Sequence, residues 1–185
     1  MPHATTRIIL DEHAAVGAVL GSLGILVRRG PGDEPERFFD VLRAMLFYLD
    51  EFPEKLHHPK ESDLLFPRLA RAAPELMPII RRLEADHMQG EGRVRELQHL
   101  LLAWELLGDS RRHEFVEAME KYVHFYFQHM HVEESQLLPA AARLLTSADW
   151  TELDRAFLSH TDPLVGGSED RKYERLFTRI VLAAP

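Results

Sequence analysis

The sequence contains no cysteine. Disulfides, thiolate zinc sites, iron–sulfur clusters and cysteine nucleophiles are therefore excluded, and any metal ion must bind to nitrogen and oxygen ligands. Basic residues are also few: the sequence has 22 Lys and Arg but 30 Asp and Glu, which gives a formal charge of -8. We expect no nucleic-acid partner, since such a partner requires a basic surface that neutralises phosphates.

Long apolar runs are missing as well. The longest mostly apolar stretch, residues 14–27, has 14 residues, whereas a membrane-spanning helix needs about 20. Residues 1–10 lack the basic segment and apolar run that are typical of a signal peptide. We therefore expect a cytoplasmic protein that does not contact a membrane.

Strand-like alternation is almost absent, and apolar residues recur at the three- and four-residue intervals of helices. Glycine and proline punctuation predicts four long helices, at residues 5–29, 35–73, 74–107 and 109–145, the last one capped by Asp109 or Ser110. Pro53 and Pro59 are expected to kink or split the second helix. Short connections favour an all-α, up-down-up-down four-helix bundle.

The length predicts a single domain over residues 1–185. The bundle is expected at about residues 5–145. A C-terminal helical extension, about residues 146–185, would cap the bundle with a short segment at 149–159 and a last helix at 169–182.

An internal repeat organises the chain. The motif His-x3-Glu-x3-Leu-x-Pro occupies residues 57–67 and reappears 72 residues later at residues 129–139. An acid followed by a histidine also occurs twice, at residues 12–13 and 86–87. The chain therefore reads as two related helical hairpins.

Residues four positions apart share one face of a helix. Three histidine–glutamate pairs have this spacing at matching depth in the predicted helices, while the first helix offers a histidine alone; the residues are His57 with Glu61, His87 with Glu91, His129 with Glu133, and His13. Bridging carboxylates and neutral imidazoles suit a dinuclear iron site. Any one pair alone could equally be a surface ion pair. We assign that role to His113 and Glu117, because His113 lies 16 residues before His129, about 24 Å along the helix.

These residues carry a resemblance to a known family. The matching segments are Asp11-Glu12-His13, His57-His58-Pro59-Lys60-Glu61 through Leu65-Phe66-Pro67, Asp86-His87, and His129-Met130-His131-Val132-Glu133-Glu134 through Leu138-Pro139. Over residues 5–145 the chain resembles the hemerythrin-like proteins with the HHE cation-binding domain.

The resemblance implies that Glu61 and Glu133 bridge two iron ions. One ion would bind His13 and His57 and keep a vacant position, and the other would bind the remaining ligands: His87, His129 and the residue at position 91. Oxygen-carrying hemerythrins have a histidine at that last position. Glu91 should stabilise ferric iron, so the resemblance favours oxidation, peroxide or nitric oxide chemistry, or sensing, over reversible oxygen carriage.

Several assignments remain open at this stage. Glu134 could replace Glu133 as the bridge. Gly17, four residues after His13, could serve close helix packing or leave space for a diatomic ligand. We expect three other histidines to lie behind the ligands or at the surface (His58, His124 and His131), and the aromatic residues Tyr122, Phe125, Tyr126 and Phe127 to form core rather than an electron relay.

Three functions compete. The first is a di-iron protein that binds or senses O2, NO, peroxide, or iron and redox state. The second is a di-iron oxidoreductase acting on peroxide or oxygen, and the third is a helical scaffold for a protein partner. Manganese or zinc could replace iron, and a homodimer is compatible with the sequence. We assign no catalytic residue, and whether the protein is an enzyme stays open.

Overall fold

The computed structural model describes residues 3–159 and 162–165, and these residues form helices without a strand. Bundle helix 1 is Ala4–Arg29, bundle helix 2 spans residues 35–72, bundle helix 3 is Met77–Leu107, and bundle helix 4 spans residues 112–144. Helices 1 and 3 each pack against helices 2 and 4. This arrangement confirms the predicted all-α bundle.

Two glycines end bundle helices as the sequence indicated. Gly30 and Gly108 have φ angles of 76° and 84°, a region that glycine enters without steric cost. The predicted cap of helix 4 was wrong, because neither Asp109 nor Ser110 makes a side-chain capping bond. The carboxylate of Asp109 instead accepts a hydrogen bond from the indole of Trp104 at 2.9 Å, and a 3-10 turn, Asp109–Arg111, leads into the helix.

The prolines do not split bundle helix 2. Its consecutive segments alternate between α and π geometry: Pro35–Leu49 (α), Asp50–His57 (π), His58–Lys60 (α), Glu61–Leu65 (π) and Phe66–Ala72 (α). Pro53 lies inside the first π-helical segment. Hydrogen bonds that reach five residues back let the helix continue past a residue that cannot donate.

The sequence repeat produces a repeated local structure. Bundle helix 4 consists of Arg112–Val132 (α), Glu133–Leu137 (π) and Leu138–Leu144 (α). In both motif copies the π-helical segment begins at the motif glutamate, and the residue after the segment donates its N–H to the carbonyl of that glutamate. A proline follows at the next position in each copy. Widened turns of this kind are frequent at functional sites.

The apolar core is divided into two clusters. One contains Leu20, Leu42 and Trp104, and the other contains Ile9 and Phe157. Along helix 1, His13 falls between Ile9 and Val16, which belong to different clusters. A buried polar layer therefore crosses the bundle between two apolar cores.

A fifth helix, Ser147–Leu158, packs on helix 1. A reciprocal capping box between Thr146 and Asp149 begins it. Its Asp154 accepts hydrogen bonds from the backbone and hydroxyl of Thr5 at 2.8 and 2.7 Å. This helix is part of the predicted C-terminal extension, whereas the helix predicted at 169–182 lies outside the described residues.

Bundle helix 1 is long and apolar enough, by length and composition alone, to cross a membrane, with a mean hydropathy of 1.5 in its most apolar window. Half of that window is buried inside the bundle. Core helices of globular proteins pass the same test, so this property is weak evidence for a membrane span.

Candidate metal centre

Seven buried side chains converge between the two core clusters, and each is between 1% and 8% exposed. They are His13, His57, His58, Glu61, His87, His129 and Glu133. Six of them are residues that the sequence predicted as metal ligands. The structure brings in His58 and leaves out Glu91.

The first half of the cluster joins helices 1, 2 and 4. The Nε2 atoms of His13 and His57 lie 3.2 Å apart. Each Nε2 lies 3.3 Å from a carboxylate oxygen, of Glu133 and Glu61 respectively. Ligand atoms about 2.1 Å from one metal ion, at angles of about 90° to 110°, would be about 3.0–3.4 Å apart. These four residues, called position A, therefore fit one ion.

The second half joins helices 2, 3 and 4. The Nε2 atoms of His87 and His129 are 3.1 Å apart, and Nε2 of His129 is 3.3 Å from Glu133. Nε2 of His87 is 3.5 Å from Glu61. His58 groups with both histidines, with ligand atoms within 4.8 Å of one another. We call these five residues position B; it shares Glu61 and Glu133 with position A.

The two shared glutamates lack hydrogen bonds. All four of their carboxylate oxygens are buried, and none has a hydrogen-bond partner among the described residues. Burial alone would raise the pKa of Glu133, but the charge of His129 and the contacts with His13 and His87 lower that pKa well below its ordinary value. Buried anionic oxygens without donors are costly unless cations compensate them, so this donor set fits metal ions.

In each acid–histidine doublet, the acid lies near a histidine of a neighbouring helix. Oε2 of Glu12 lies 2.6 Å from Nδ1 of His57, and Oδ2 of Asp86 lies 3.5 Å from Nδ1 of His129. The Glu12 carboxylate at Nδ1 fixes the tautomer in which Nε2 of His57 carries the lone pair that a metal needs. Asp86 is too distant for this role, because Nδ1 of His129 has no hydrogen-bond partner among the described residues. The doublets are visible in the sequence, but their spacing does not indicate that each acid contacts a histidine of another helix.

The residue after each motif glutamate contacts a histidine of the opposite hairpin. Ser62 Oγ is 2.8 Å from Nδ1 of His87, and Glu134 Oε1 is 2.9 Å from Nδ1 of His13. Glu134 thus contacts the outer nitrogen of His13, whereas Glu133 reaches both halves of the cluster. This geometry favours Glu133 over Glu134 as the shared carboxylate.

The histidine pKa values differ across the cluster. Burial alone would lower the pKa of His13, but its contact with the Glu133 carboxylate and its hydrogen bond with Glu134 raise that pKa to about 9. The pKa of His57 is also raised well above its ordinary value, because Glu61 and Glu12 outweigh burial. Burial and the neighbouring histidines lower the pKa of His58 well below its ordinary value. At position B, the pKa of His129 is also raised, because Glu133 and Asp86 outweigh the opposing effect of burial.

Glu91 does not reach the cluster. Its side chain is 46% exposed and forms an ion pair with Arg95 on the same helix. The buried face of helix 3 passes through Leu83, Gly90 and Val94, so the residue three positions after His87 faces inward, and the residue four positions after it does not.

His58 was expected behind the ligands or at the surface, and the structure buries it among them. Neighbouring residues in an α-helix differ by about 100° in direction, which argued against two inward histidines in a row. The π-helical segment that ends at His57 alters this phase. The sequence does contain a sign that His58 is special. The first motif copy has two consecutive histidines, whereas the second has Met130 in the place that corresponds to His58. His124 and His131 are exposed.

A buried carboxylate supports His58 from behind. Oε2 of Glu54 is 3.1 Å from Nδ1 of His58, and the hydroxyl of Tyr126 donates to Oε1 of Glu54. Burial raises the pKa of Glu54 to about 7, although the Tyr126 hydrogen bond acts in the opposite direction. Tyr122 and Tyr126 are core residues as expected, whereas Phe127 is 46% exposed.

Two openings adjoin position A. A groove of about 560 Å³ between helices 1 and 4 reaches His13 and Glu134 and has Gly17 and Phe127 in its wall. A small chamber of about 10 Å³ lies beside His13 and His57, and its walls combine apolar side chains such as Phe52 with charged ones such as Lys60. Gly17 thus borders open space, and a Cβ there would meet Phe127 at an ordinary 3.5 Å.

Comparison with curated proteins gives no match. A family model described as the hemerythrin HHE cation binding domain matches residues 4–141. The match includes every residue of the buried cluster and about three quarters of the chain, and the protein therefore belongs to the hemerythrin HHE cation-binding family.

Proposed function

We propose that the protein binds two iron ions. Position A would hold one ion through His13 and His57, and position B would hold the other through three histidines: His58, His87 and His129. Glu61 and Glu133 would bridge the ions. The observation that carries this proposal is that both carboxylates belong to both ligand groups while their oxygens have no hydrogen-bond partner among the described residues.

Replacing Glu91 by His58 in the ligand set changes the expected chemistry. The set then contains five histidines and two carboxylates, the composition that the family resemblance implies for oxygen-carrying members. The extra anionic ligand that was expected to stabilise ferric iron is absent from the cluster, because Glu91 pairs with Arg95. Reversible oxygen binding therefore returns to the set of functions that we propose.

We propose that the ligand is small: O2, NO or peroxide. In this assignment position A has four protein ligands, and position B has five because two clusters share His87 and His129. The ion at position A would therefore have more free coordination sites. The adjoining chamber of about 10 Å³ has room for about one water-sized molecule. Bound iron would supply Lewis acidity and electron exchange there, whereas the protein supplies the small enclosed space.

The proposed stoichiometry is tested by metal analysis of protein purified from iron-replete cells. Two iron ions per chain are expected in the wild type, and fewer in His13→Ala and in His58→Ala. Glu91→Gln is the matched control and should retain both ions, because its side chain faces solvent. One ion or none in the wild type would overturn the proposal, and two manganese or zinc ions would replace iron in it.

Ligand binding is tested on the reduced, iron-loaded protein. A change in visible absorption upon addition of O2 or NO, reversed when the gas is removed, would support binding or sensing. Steady consumption of added peroxide, lost in His13→Ala, would instead support the oxidoreductase alternative. No spectral response to any of the three ligands would contradict both.

A further inference from the structure

Behind His58 lies a group of three further residues that belong to neither ligand position. Glu54 comes from helix 2, Gly90 from helix 3 and Tyr126 from helix 4. The side chain of Glu54 is 2% exposed, and its two oxygens have different partners. Oε2 contacts His58 and Oε1 accepts from Tyr126.

The contact between Glu54 and His58 has a chemical consequence. A carboxylate that accepts the Nδ1–H of an imidazole leaves the lone pair on Nε2, the nitrogen that can bind a metal. The ring of His58 also stacks on that of His87, with centroids 4.0 Å apart and planes 11° apart. Tautomer and ring orientation are therefore both set by neighbouring residues.

Gly90 provides the space that Glu54 occupies. A Cβ at position 90 would lie 2.8 Å from Oε2 and 3.0 Å from Cδ of Glu54, and closer still to Oε1. Such distances do not occur between a Cβ and a carboxylate, so any side chain here must displace the carboxylate. Glu54 cannot move far without losing His58 or Tyr126, because both of its oxygens are engaged.

Helix 3 also contains a second glycine that can be compared with Gly90. Gly92 lies two residues further along, and a Cβ there would meet no atom of the described residues within 4 Å. Both glycines cost the helix up to about 1 kcal/mol relative to alanine. Only Gly90 faces the cluster, which indicates a steric requirement at that position.

We propose that Glu54 is the positioning residue that makes His58 a ligand of position B, and that Gly90 is required because it leaves room for the Glu54 carboxylate. This inference rests on the proposed two-ion centre. In this proposal, the third histidine of position B depends on supporting residues from helices 2, 3 and 4. Position A does not share this support.

The test compares Gly90→Ala and Glu54→Gln with Gly92→Ala by titrating the metal-free proteins with Co²⁺ and counting the ions bound. Gly90→Ala and Glu54→Gln should bind the ion at position B about 10- to 100-fold more weakly, the range found when outer partners of ligands are removed. The ion at position A and the Gly92→Ala variant should be unaffected. Glu54→Gln conserves size and decides the question if Gly90→Ala does not fold.

A second readout separates positioning from general stability. Nitrogen NMR of the metal-free wild type at neutral pH should show His58 neutral and protonated on Nδ1. This signature should be lost in Glu54→Ala, which removes the acceptor, while thermal unfolding remains cooperative. In a Glu54→Ala background, Gly90→Ala should have no further effect on Co²⁺ affinity, since contacting residues are not additive.

The outcomes are distinguishable. A wild type that binds fewer than two ions would refute the two-ion centre. Two ions in the wild type, with unchanged affinities in both Gly90→Ala and Glu54→Gln, would refute the positioning role alone. Equal weakening of both positions would also refute it, because Glu54 would then act on the whole centre.

Discussion

The carboxylate of Glu12 lies 2.6 Å from Nδ1 of His57, although 45 residues separate them in the chain. The equivalent pair in the other hairpin, Asp86 and His129, is 3.5 Å apart. The aspartate side chain is one methylene shorter, so it reaches less far. The carboxylate therefore holds its histidine more closely in one half of the repeat than in the other.

This inequality predicts unequal effects of removing each charge. Glu12→Gln should weaken metal binding at position A about 10- to 100-fold, because the neutral amide oxygen is a weaker acceptor for Nδ1–H of His57 than the carboxylate. Asp86→Asn should have a smaller effect on position B. The measurement is a Co²⁺ titration of each metal-free variant. Asp11→Asn, which removes the neighbouring exposed charge, is the control, and equal effects of all three changes would contradict the prediction.

The metal-free protein should lose stability as the pH rises through about 9. The folded-state pKa of His13 is raised to about 9 by Glu133 and Glu134 against the opposing effect of burial, while its unfolded value is about 6.5. Stability from the protonated ring is thus fully present below about pH 6.5 and lost above about pH 9, a change on the order of 1–3 kcal/mol.

Urea unfolding at pH 6.5 and pH 9.5 measures this change. The metal-loaded protein is the control, since its rings hold metal in place of protons and should show little dependence over the same range. Binding of metal to the metal-free protein should release protons at pH 7.5 and fewer at pH 9.5. Stability that increases from pH 6.5 to pH 9.5 in the metal-free form would contradict the assignment.

Gly17 is predicted to keep the groove beside position A open. Gly17→Leu should slow azide binding to the oxidised, iron-loaded protein at least severalfold while iron content is unchanged, because the new side chain would fill space between His13 and Phe127. Stopped-flow absorption gives the rate. Gly21→Leu is the matched control, since a Cβ there meets nothing within 4 Å in the part of the chain that the structure describes. Equal rates in both variants would show that ligands do not approach through this groove.

A buried hydrogen bond fastens the segment that follows the fifth helix. The hydroxyl of Tyr48, which is fully buried, donates to Oδ2 of Asp162 at 2.6 Å. Tyr48→Phe should lower the free energy of unfolding by about 1–3 kcal/mol, because a buried carboxylate loses a partner. Urea unfolding measures the loss. The double variant Tyr48→Phe with Asp162→Asn should recover part of it, and no recovery would place the effect elsewhere.

Much of the candidate site follows from spacing alone. The His-x3-Glu motif and its repeat identify His57, Glu61, His129 and Glu133, since residues four apart share a helix face in any tertiary context. The acid–histidine doublets add His13 and His87. These six residues lie together in the structure.

The positions of Glu91 and His58 could not be predicted from residue spacing. Spacing gives the angle between two residues on one helix, but the rotation of that helix about its own axis is set by packing. Helix 3 buries Gly90 and Val94, which turns Glu91 toward solvent. His58 faces inward because a π-helical segment precedes it, and the prolines there predicted an interruption without specifying its geometry.

The sequence by itself therefore determined the helices, their order and six of the seven clustered residues, because these depend on periodicity, helix-ending residues and a repeated motif. Only the tertiary structure decided the seventh residue and the acids that support the ring nitrogens, Glu12 and Glu54 among them. Those contacts join different helices, and their distances depend on how the side chains of four helices pack around a shared buried layer.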